Sequence, residues 1–197
     1  RNLPIKLDDG LEPGVIRVGP YHESPAVRDL VGHDFFVKLS ARLLDTGPRL
    51  DTVMFRQPFG GFGQQRLHRD PPFPALSFLL NLTPVNRENG ATRFVRGTHN
   101  LPESQEEFVA QDGDLVWVEC EEPTVTIIDN RTFHGGSRNL NGDDRPLLYW
   151  IYRDVAAERG GAIHEQGSDA QRAQRTEHEV SLIRGIERDH ILNNQSL

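Results

Sequence analysis

The sequence predicts a mostly β domain with flanking helices, its strands forming an antiparallel sandwich, a jelly roll or a small barrel. Three observations carry this. Between residues 50 and 155, six short β-rich runs follow one another, each bounded by Gly, Pro, Asn or Asp. No long helix separates them. Helical patterns occur only before and after the set.

Residues 1–25 are rich in Gly, Pro and acids and read as loop, with one short strand candidate in "GVIRVG". "SPAVRDLVGHDFFVKLSARLLD" carries apolar residues at Val27, Leu30, Val31, Phe35, Phe36, Leu39 and Leu43. Ser24 and Pro25 supply an N-cap and first-turn signal, so one or two helices are expected there. The strand runs are "LDTVMFRQPFG", "ALSFLLNLTPV", "ATRFVRGTH", "GDLVWVECEE", "TVTIIDNRTFHGG" and "RPLLYWIYRDV". "DAQRAQRTEHEVSLIRGIERDHIL" is charged, with a thin apolar stripe at Val180, Leu182, Ile183 and Ile186. It reads as a surface helix packing on the sheet or on a partner. Residues 1–197 are therefore expected to form a single domain, with a core at about 50–153 and a C-terminal helical segment at about 168–193. No repeat or low-complexity linker interrupts them.

Length and composition set outer bounds. The 197 residues suffice for one domain with a sizeable core, and 36% hydrophobic with 26% charged residues is ordinary for a soluble protein. A net charge of −7 disfavours nucleic acid as a partner, since phosphates need a basic face. The lone Cys120 rules out an intramolecular disulfide and a cysteine-based zinc site, and suits a reducing, cytoplasmic location. No apolar run approaches a membrane span, and the first residues lack the apolar centre of a signal peptide. Because the chain starts at Arg1 rather than Met, it fits a fragment or a processed form.

In "GGFGQQRLHRDPP" His68 and Asp70 stand two apart, just before Pro71 and Pro72. Residues two apart in an extended strand point to one face, so both side chains can aim at one point. The pair alone is weak, because a chain with 8 histidines and 29 acids throws up such spacings by chance. His22, His33, His164, His178 and His190 lie in polar loops or the charged tail and read as solvated. His99 follows a strand and is ambiguous. His134 closes a strand-like run, and Gly135 and Gly136 after it would let another group approach closely. Asn141-Gly142 is a hairpin-turn signal. A turn there would oppose Arg138 to Arg145 and His134 to Tyr149, with His134, Arg145, Leu147 and Tyr149 on one face. Arg145 would lie about 13 Å from the partner of His134, a gap spanned by a metal-bound five-carbon diacid reaching toward an arginine. Two histidines and one carboxylate leave three metal positions open, the arrangement of non-haem Fe(II) oxygenases.

On these residues the chain resembles the Fe(II)/2-oxoglutarate dioxygenases of the phytanoyl-CoA dioxygenase type, over roughly residues 50–153. The family's Q-x-x-H-x-D appears as Gln65-Arg66-Leu67-His68-Arg69-Asp70, and its NG…PGSH segment runs from Asn89-Gly90 to Gly97-Thr98-His99. Its GD strand start is Gly113-Asp114, and its HGS…N…R ending is His134-Gly135-Gly136-Ser137, Asn139 and Arg145. The resemblance implies a double-stranded β-helix core, jelly-roll and cupin-like. It implies that His68, Asp70 and His134 hold Fe(II), and that Arg145 pairs with the distal carboxylate of the co-substrate 2-oxoglutarate. A planar guanidinium suits that role because it can bind a carboxylate in bidentate fashion. Gln65 matches a co-substrate position, Asn81 joins it by strand parity if Leu79 points inward, and Thr92 is a weaker candidate. His99 becomes a turn residue.

The implied activity is O2-dependent oxidation of a small-molecule metabolite, with release of succinate and CO2. Asp70 argues for hydroxylation or a related oxidation, since related halogenases carry a small residue there to admit chloride. Arg56, Phe62, Arg69 and Phe73 are the candidate substrate residues, being near the metal positions in sequence. Arg96 replaces the family's usual proline, and the stretch from Gly97 to Gly113 is short for the family, leaving little to form a lid. Three other readings compete: a degenerate metal-binding sandwich acting as a sensor or binding protein, a cupin-like enzyme with His99 as a third histidine, and a carbohydrate-binding sandwich. Substrate identity and oligomeric state are not encoded in any motif.

Overall fold

The structure, a computed structural model, describes residues 15–18, 24–58, 63–70, 74–102, 104–105, 107–111 and 113–157. Its strands are β1 (Val15–Val18), β2 (Pro48–Pro58), β3 (Ala75–Asn81), β4 (Thr92–Val95), β5 (Leu115–Trp117), β6 (Thr124–Asp129), β7 (His134–Gly136) and β8 (Leu147–Asp154). Two helices, α1 (Pro25–Val31) and α2 (Asp34–Leu43), precede β2. A five-stranded sheet runs in the order β1-β2-β8-β3-β6 and a three-stranded sheet in the order β5-β4-β7. All pairings are antiparallel, the arrangement of a jelly roll. The expected C-terminal helical segment lies outside the described residues.

Each β-rich run supplies a strand, and "GVIRVG" supplies β1. "TVTIIDNRTFHGG" supplies two. A tight turn breaks it: Thr132 N–H donates to the Asp129 carbonyl at 2.9 Å, and Asp129 Oδ1 accepts from Arg131 N–H at 2.9 Å. The chain then leaves the large sheet after β6 and enters the small one as β7.

Pro25 opens α1 after an extended Ser24, and Gly32 closes it. His33 lies between the helices, where its ring Nδ1 accepts from Phe35 N–H at 3.2 Å and caps α2. The helices lay Val27, Leu30, Val31, Phe36 and Val37 on the outer face of the large sheet, against Leu76, Phe78, Leu148, Trp150 and Tyr152. There Phe78 stacks on Trp150 with ring centroids 5.1 Å apart, and Phe36 meets both edge-on at 5.4 and 5.2 Å. Edge-to-face and offset aromatic contacts add to the area term of burial.

Register then decides what faces inward. Residues directly opposite in paired strands share a face. Leu147 sits opposite Arg56 and Asn81, and Tyr149 opposite Met54 and Leu79. Leu148 and Trp150 face the helices, so Arg56, Ser77, Leu79, Asn81, Leu147 and Tyr149 turn to the interior between the sheets.

The expected hairpin between β7 and β8 does not form. Asn141-Gly142 does turn the chain, with Gly142 at φ 83° and Asp143 N–H donating to Asn141 Oδ1 at 3.0 Å. The turn, however, carries the chain from the small sheet back to the large one. His134 is opposite Phe94 and Tyr149 is opposite Leu79, while Arg138 is exposed. No helix among the described residues is long and apolar enough to cross a membrane.

Trp150→Ala is expected to cost about 3–5 kcal/mol of unfolding free energy, because Trp150 is fully buried in the aromatic stack. Trp150→Phe should cost far less, since the indole N–H has no hydrogen-bond partner among the described residues to lose. Urea unfolding of the two variants checks the contrast.

Candidate metal centre

Residues 63–70 run along the free edge of β7 as extended backbone. Only one bridge of strand type forms, between His68 and His134. The two residues exchange both backbone hydrogen bonds at 2.9 Å, so their side chains emerge as neighbours. The next ladder bond is made by a side chain. Gln65 N–H donates to the Gly136 carbonyl at 3.0 Å, and Gly136 N–H donates to Gln65 Oε1 at 2.7 Å. Arg93, buried on β4, donates from Nη2 to the Gln65 carbonyl and holds this segment down.

The glycines after His134 make the approach possible. A Cβ on Gly135 would lie 2.8 Å from the Arg66 carbonyl oxygen. One on Gly136 would lie 3.0 Å from Gln65 Oε1 and 3.8 Å from Arg145 Nη2. Gly136 and His134 are two apart on β7 and share a face, so Arg145 lies on the His134 side of the strand.

His68, Asp70 and His134 converge, with one ligand atom from each lying within 4.8 Å of the others. This is the one such group of three among the described residues. The imidazole rings are 4.7 Å apart between centroids, and His134 Nε2 is 3.8 Å from Asp70 Oδ2. Each histidine is oriented by its other nitrogen. His68 Nδ1 sits 3.0 Å from the Arg66 carbonyl and His134 Nδ1 2.9 Å from the Thr132 carbonyl. A carbonyl partner fixes Nδ1 as the protonated nitrogen and leaves the Nε2 lone pair for a metal. Burial lowers the His134 pKa, opposed by the Asp70 carboxylate and reinforced by His68. The neutral, ligating form is thereby favoured. Phe94 stacks on the His134 ring at 6.0 Å and closes the apolar side.

Arg145 is 3% exposed, and its Nε and Nη1 have no hydrogen-bond partner among the described residues. Burial, followed by the nearby Arg56 guanidinium, brings its pKa down to about 10, so it is still charged at neutral pH. A buried cation with two unsatisfied donors is costly unless an anion meets it. The donor set fits Fe(II) and a dicarboxylate: two imidazole nitrogens and a carboxylate at one end, a shielded guanidinium at the other.

The remaining candidates divide. Arg56 is half-buried on the inner face of β2, within electrostatic reach of Asp70, Tyr149, His134 and Arg145. Asn81 is buried on the inner face of β3, opposite Leu147. Thr92 sits opposite Gly136 at the start of β4. Arg69 is not brought to the site. Its guanidinium donates to the carbonyls of Thr98, Leu101 and Pro102 and stacks over Phe133 at 4.6 Å, which anchors the short turn Thr98–Asn100. His99 lies in that turn. Phe62 and Phe73 lie outside the described residues. One residue without a role in the motif reading belongs here: Tyr149, whose hydroxyl donates to Asp70 Oδ2 at 3.1 Å. Its parity with Arg145, four residues earlier in the chain, was the available signal.

Residues 13–147 match the family model described as phytanoyl-CoA dioxygenase (PhyH). The chain belongs to the phytanoyl-CoA dioxygenase family. Among curated relatives, it is 30% identical over 119 residues to the dioxygenase peniF of Penicillium patulum, covering 51% of this chain and 37% of that protein. It is 33% identical over 86 residues to the iron/alpha-ketoglutarate-dependent dioxygenase okaE of Penicillium ochrochloron, covering 43% and 28%. The chain thus matches well under half the length of these relatives. Among solved structures, the non-haem alpha-ketoglutarate-dependent epimerase SnoN from nogalamycin biosynthesis superposes with a TM-score of 0.64 at 20% identity, over 80% of this chain and 70% of that one. HygX of Streptomyces hygroscopicus, solved with nickel, 2-oxoglutarate and hygromycin B, gives 0.61 at 17% identity, over 77% and 74%. At these identities the likeness shows the shared jelly-roll fold.

Gly135→Ala is expected to weaken divalent-metal binding by about tenfold or more, because its methyl would displace the Arg66 carbonyl that orients His68. Calorimetric titration with Ni(II) checks this.

Proposed function

We propose that the chain is a non-haem Fe(II)- and 2-oxoglutarate-dependent oxygenase that hydroxylates, or otherwise oxidises, a small organic molecule. The observation that carries this reading is the buried Arg145 guanidinium, with Nε and Nη1 unpartnered among the described residues, on the same side of β7 as His134. A metal site alone has no use for a shielded cation at that spot. A dicarboxylate bound to the metal at one end needs one at the other.

His68, Asp70 and His134 would hold the iron. When bound, Fe(II) offers an open coordination face for chelating the co-substrate and activating O2. The chain supplies orientation and dryness. Arg145 receives the distal carboxylate through charge-assisted hydrogen bonds, and Gln65 keeps the Gly136 backbone in place beside it. Thr92 and Asn81 line the approach, and the Phe94 ring keeps water from the His134 face. Arg56 is the best substrate-facing candidate, a second cation on the inner wall that an oxygen-rich substrate would meet.

Small molecules are the substrate class favoured here. SnoN has been solved with Fe3+, alpha ketoglutarate and nogalamycin RO, and HygX with hygromycin B. An uncrosslinked Cys120 fits work in the reducing cytoplasm.

Anaerobic addition of Fe(II) and then 2-oxoglutarate is expected to produce a weak visible charge-transfer band that needs both components. Iron binding without that band would favour a sensor or degenerate protein. His134→Ala should abolish 2-oxoglutarate turnover with the fold intact by circular dichroism, and retained turnover would sink the assignment. Arg145→Gln should raise KM for 2-oxoglutarate roughly 10- to 100-fold, the worth of charge-assisted hydrogen bonds to a buried cation. An unchanged KM would transfer the role to Arg56.

A further inference from the structure

The carboxylate ligand differs from the histidines in how it is held. Each imidazole is oriented by a backbone carbonyl of its own segment. Asp70 lies at a bend just beyond the bridge, where the ladder with β7 has ended. Among the described residues its side-chain hydrogen bond comes from the opposite sheet: Tyr149, on β8, donates from its hydroxyl to Oδ2 at 3.1 Å. Behind the phenol, the Ser77 hydroxyl of β3 donates to the Asn130 side-chain oxygen and lies within reach of the Tyr149 hydroxyl. Ser77 and Asn130 are fully buried. A line Asn130–Ser77–Tyr149–Asp70 therefore crosses the interior from the turn after β6 to the metal group.

We infer that Tyr149 is a positioning residue for the metal centre, holding the Asp70 carboxylate from the opposite sheet with Ser77 packed behind it. Two points support it. The phenol lies on the inner face by register, opposite Leu79 and two residues beyond Leu147. It meets the very oxygen that lies 3.8 Å from His134 Nε2. Arg145, two residues before β8, and Tyr149 on it then set both ends of the site from one segment.

This inference rests on the metal reading, and the test separates the two. Fe(II) affinity is measured anaerobically for the unaltered chain, Tyr149→Phe, Asp70→Ala and the double variant, with the visible bands of the Co(II) forms recorded alongside. Loss of a hydrogen bond to a ligand of this kind weakens metal binding by about 10- to 100-fold, and that loss is expected in Tyr149→Phe, together with a shifted Co(II) band. In the Asp70→Ala background the same change should alter affinity by less than about twofold, because Tyr149 acts through Asp70. Ser77→Ala, which keeps the phenol, should weaken binding in the same direction by severalfold, and it carries the test if Tyr149→Phe does not fold. Unchanged affinity and spectrum in Tyr149→Phe, or an equal loss with and without Asp70, would overturn the inference while leaving the metal reading intact. Absence of Fe(II) binding by the unaltered chain would bring down both.

Discussion

Two reciprocal backbone hydrogen bonds, between His68 and His134, are the constraint on which the site depends. They join residues 66 apart in sequence at the free edge of the small sheet. Once that pair is formed, the rest follows with little freedom. The rings must emerge side by side, Asp70 must follow two residues on, and the carbonyls of Arg66 and Thr132 lie where Nδ1 of each ring can reach them. The bridge itself depends on Gly135, since any side chain there would push the Arg66 carbonyl away. Metal geometry is thus set by backbone approach, which side-chain substitution elsewhere changes little.

The second constraint is electrostatic. Arg145 is placed where water does not screen it, with Arg56 close enough to disfavour its charge further. A lysine would deprotonate more readily in such a place and present a single point charge. Arginine keeps its charge when desolvated and presents a flat pair of donors. Among the described residues its Nε and Nη1 have no partner, a cost the fold bears until an anion arrives, which makes this guanidinium a functional signal beside the ligand triad.

How much of this was legible in the sequence depended on whether a local rule governed the residue. His68 and Asp70 obey one: two apart in extended chain. His134 and Gly135-Gly136 obey another, close approach at a strand end. The ladder of six β-rich runs was legible because turn formers bound each one. The pairing of β7 was not. Asn141-Gly142 is a true turn signal, and Asn139, which accepts from Gly142 N–H and donates to the Asp143 carbonyl, reinforces it. Yet turn chemistry says only that the chain reverses, not which sheet receives it. Arg145 and Tyr149 consequently reach the His134 side by facing it across the interior, not by pairing beside it. Arg69 was misplaced for a related reason. Proximity in sequence to His68 and Asp70 says nothing about face, and alternation sends the residue between two ligands the other way, onto Phe133.

Strand β8 shows why tertiary register, more than composition, assigns these roles. "LLYWIYRD" is apolar or aromatic at nearly every position, and almost all of it is buried, so no alternation of hydrophobicity marks an inner and an outer face. Register supplies the missing information. Leu148, Trp150 and Tyr152 pack beneath α1 and α2, and the Tyr152 hydroxyl donates to the Val31 carbonyl to tie helix to sheet. Leu147 and Tyr149 turn the other way, toward Asp70 and the cations. Adjacent residues therefore answer to different demands, with Trp150 contributing packing energy and Tyr149 contributing a hydrogen bond at the metal group. A strand divided in this way lets the interior wall change with the substrate while the helical face keeps the sheet assembled.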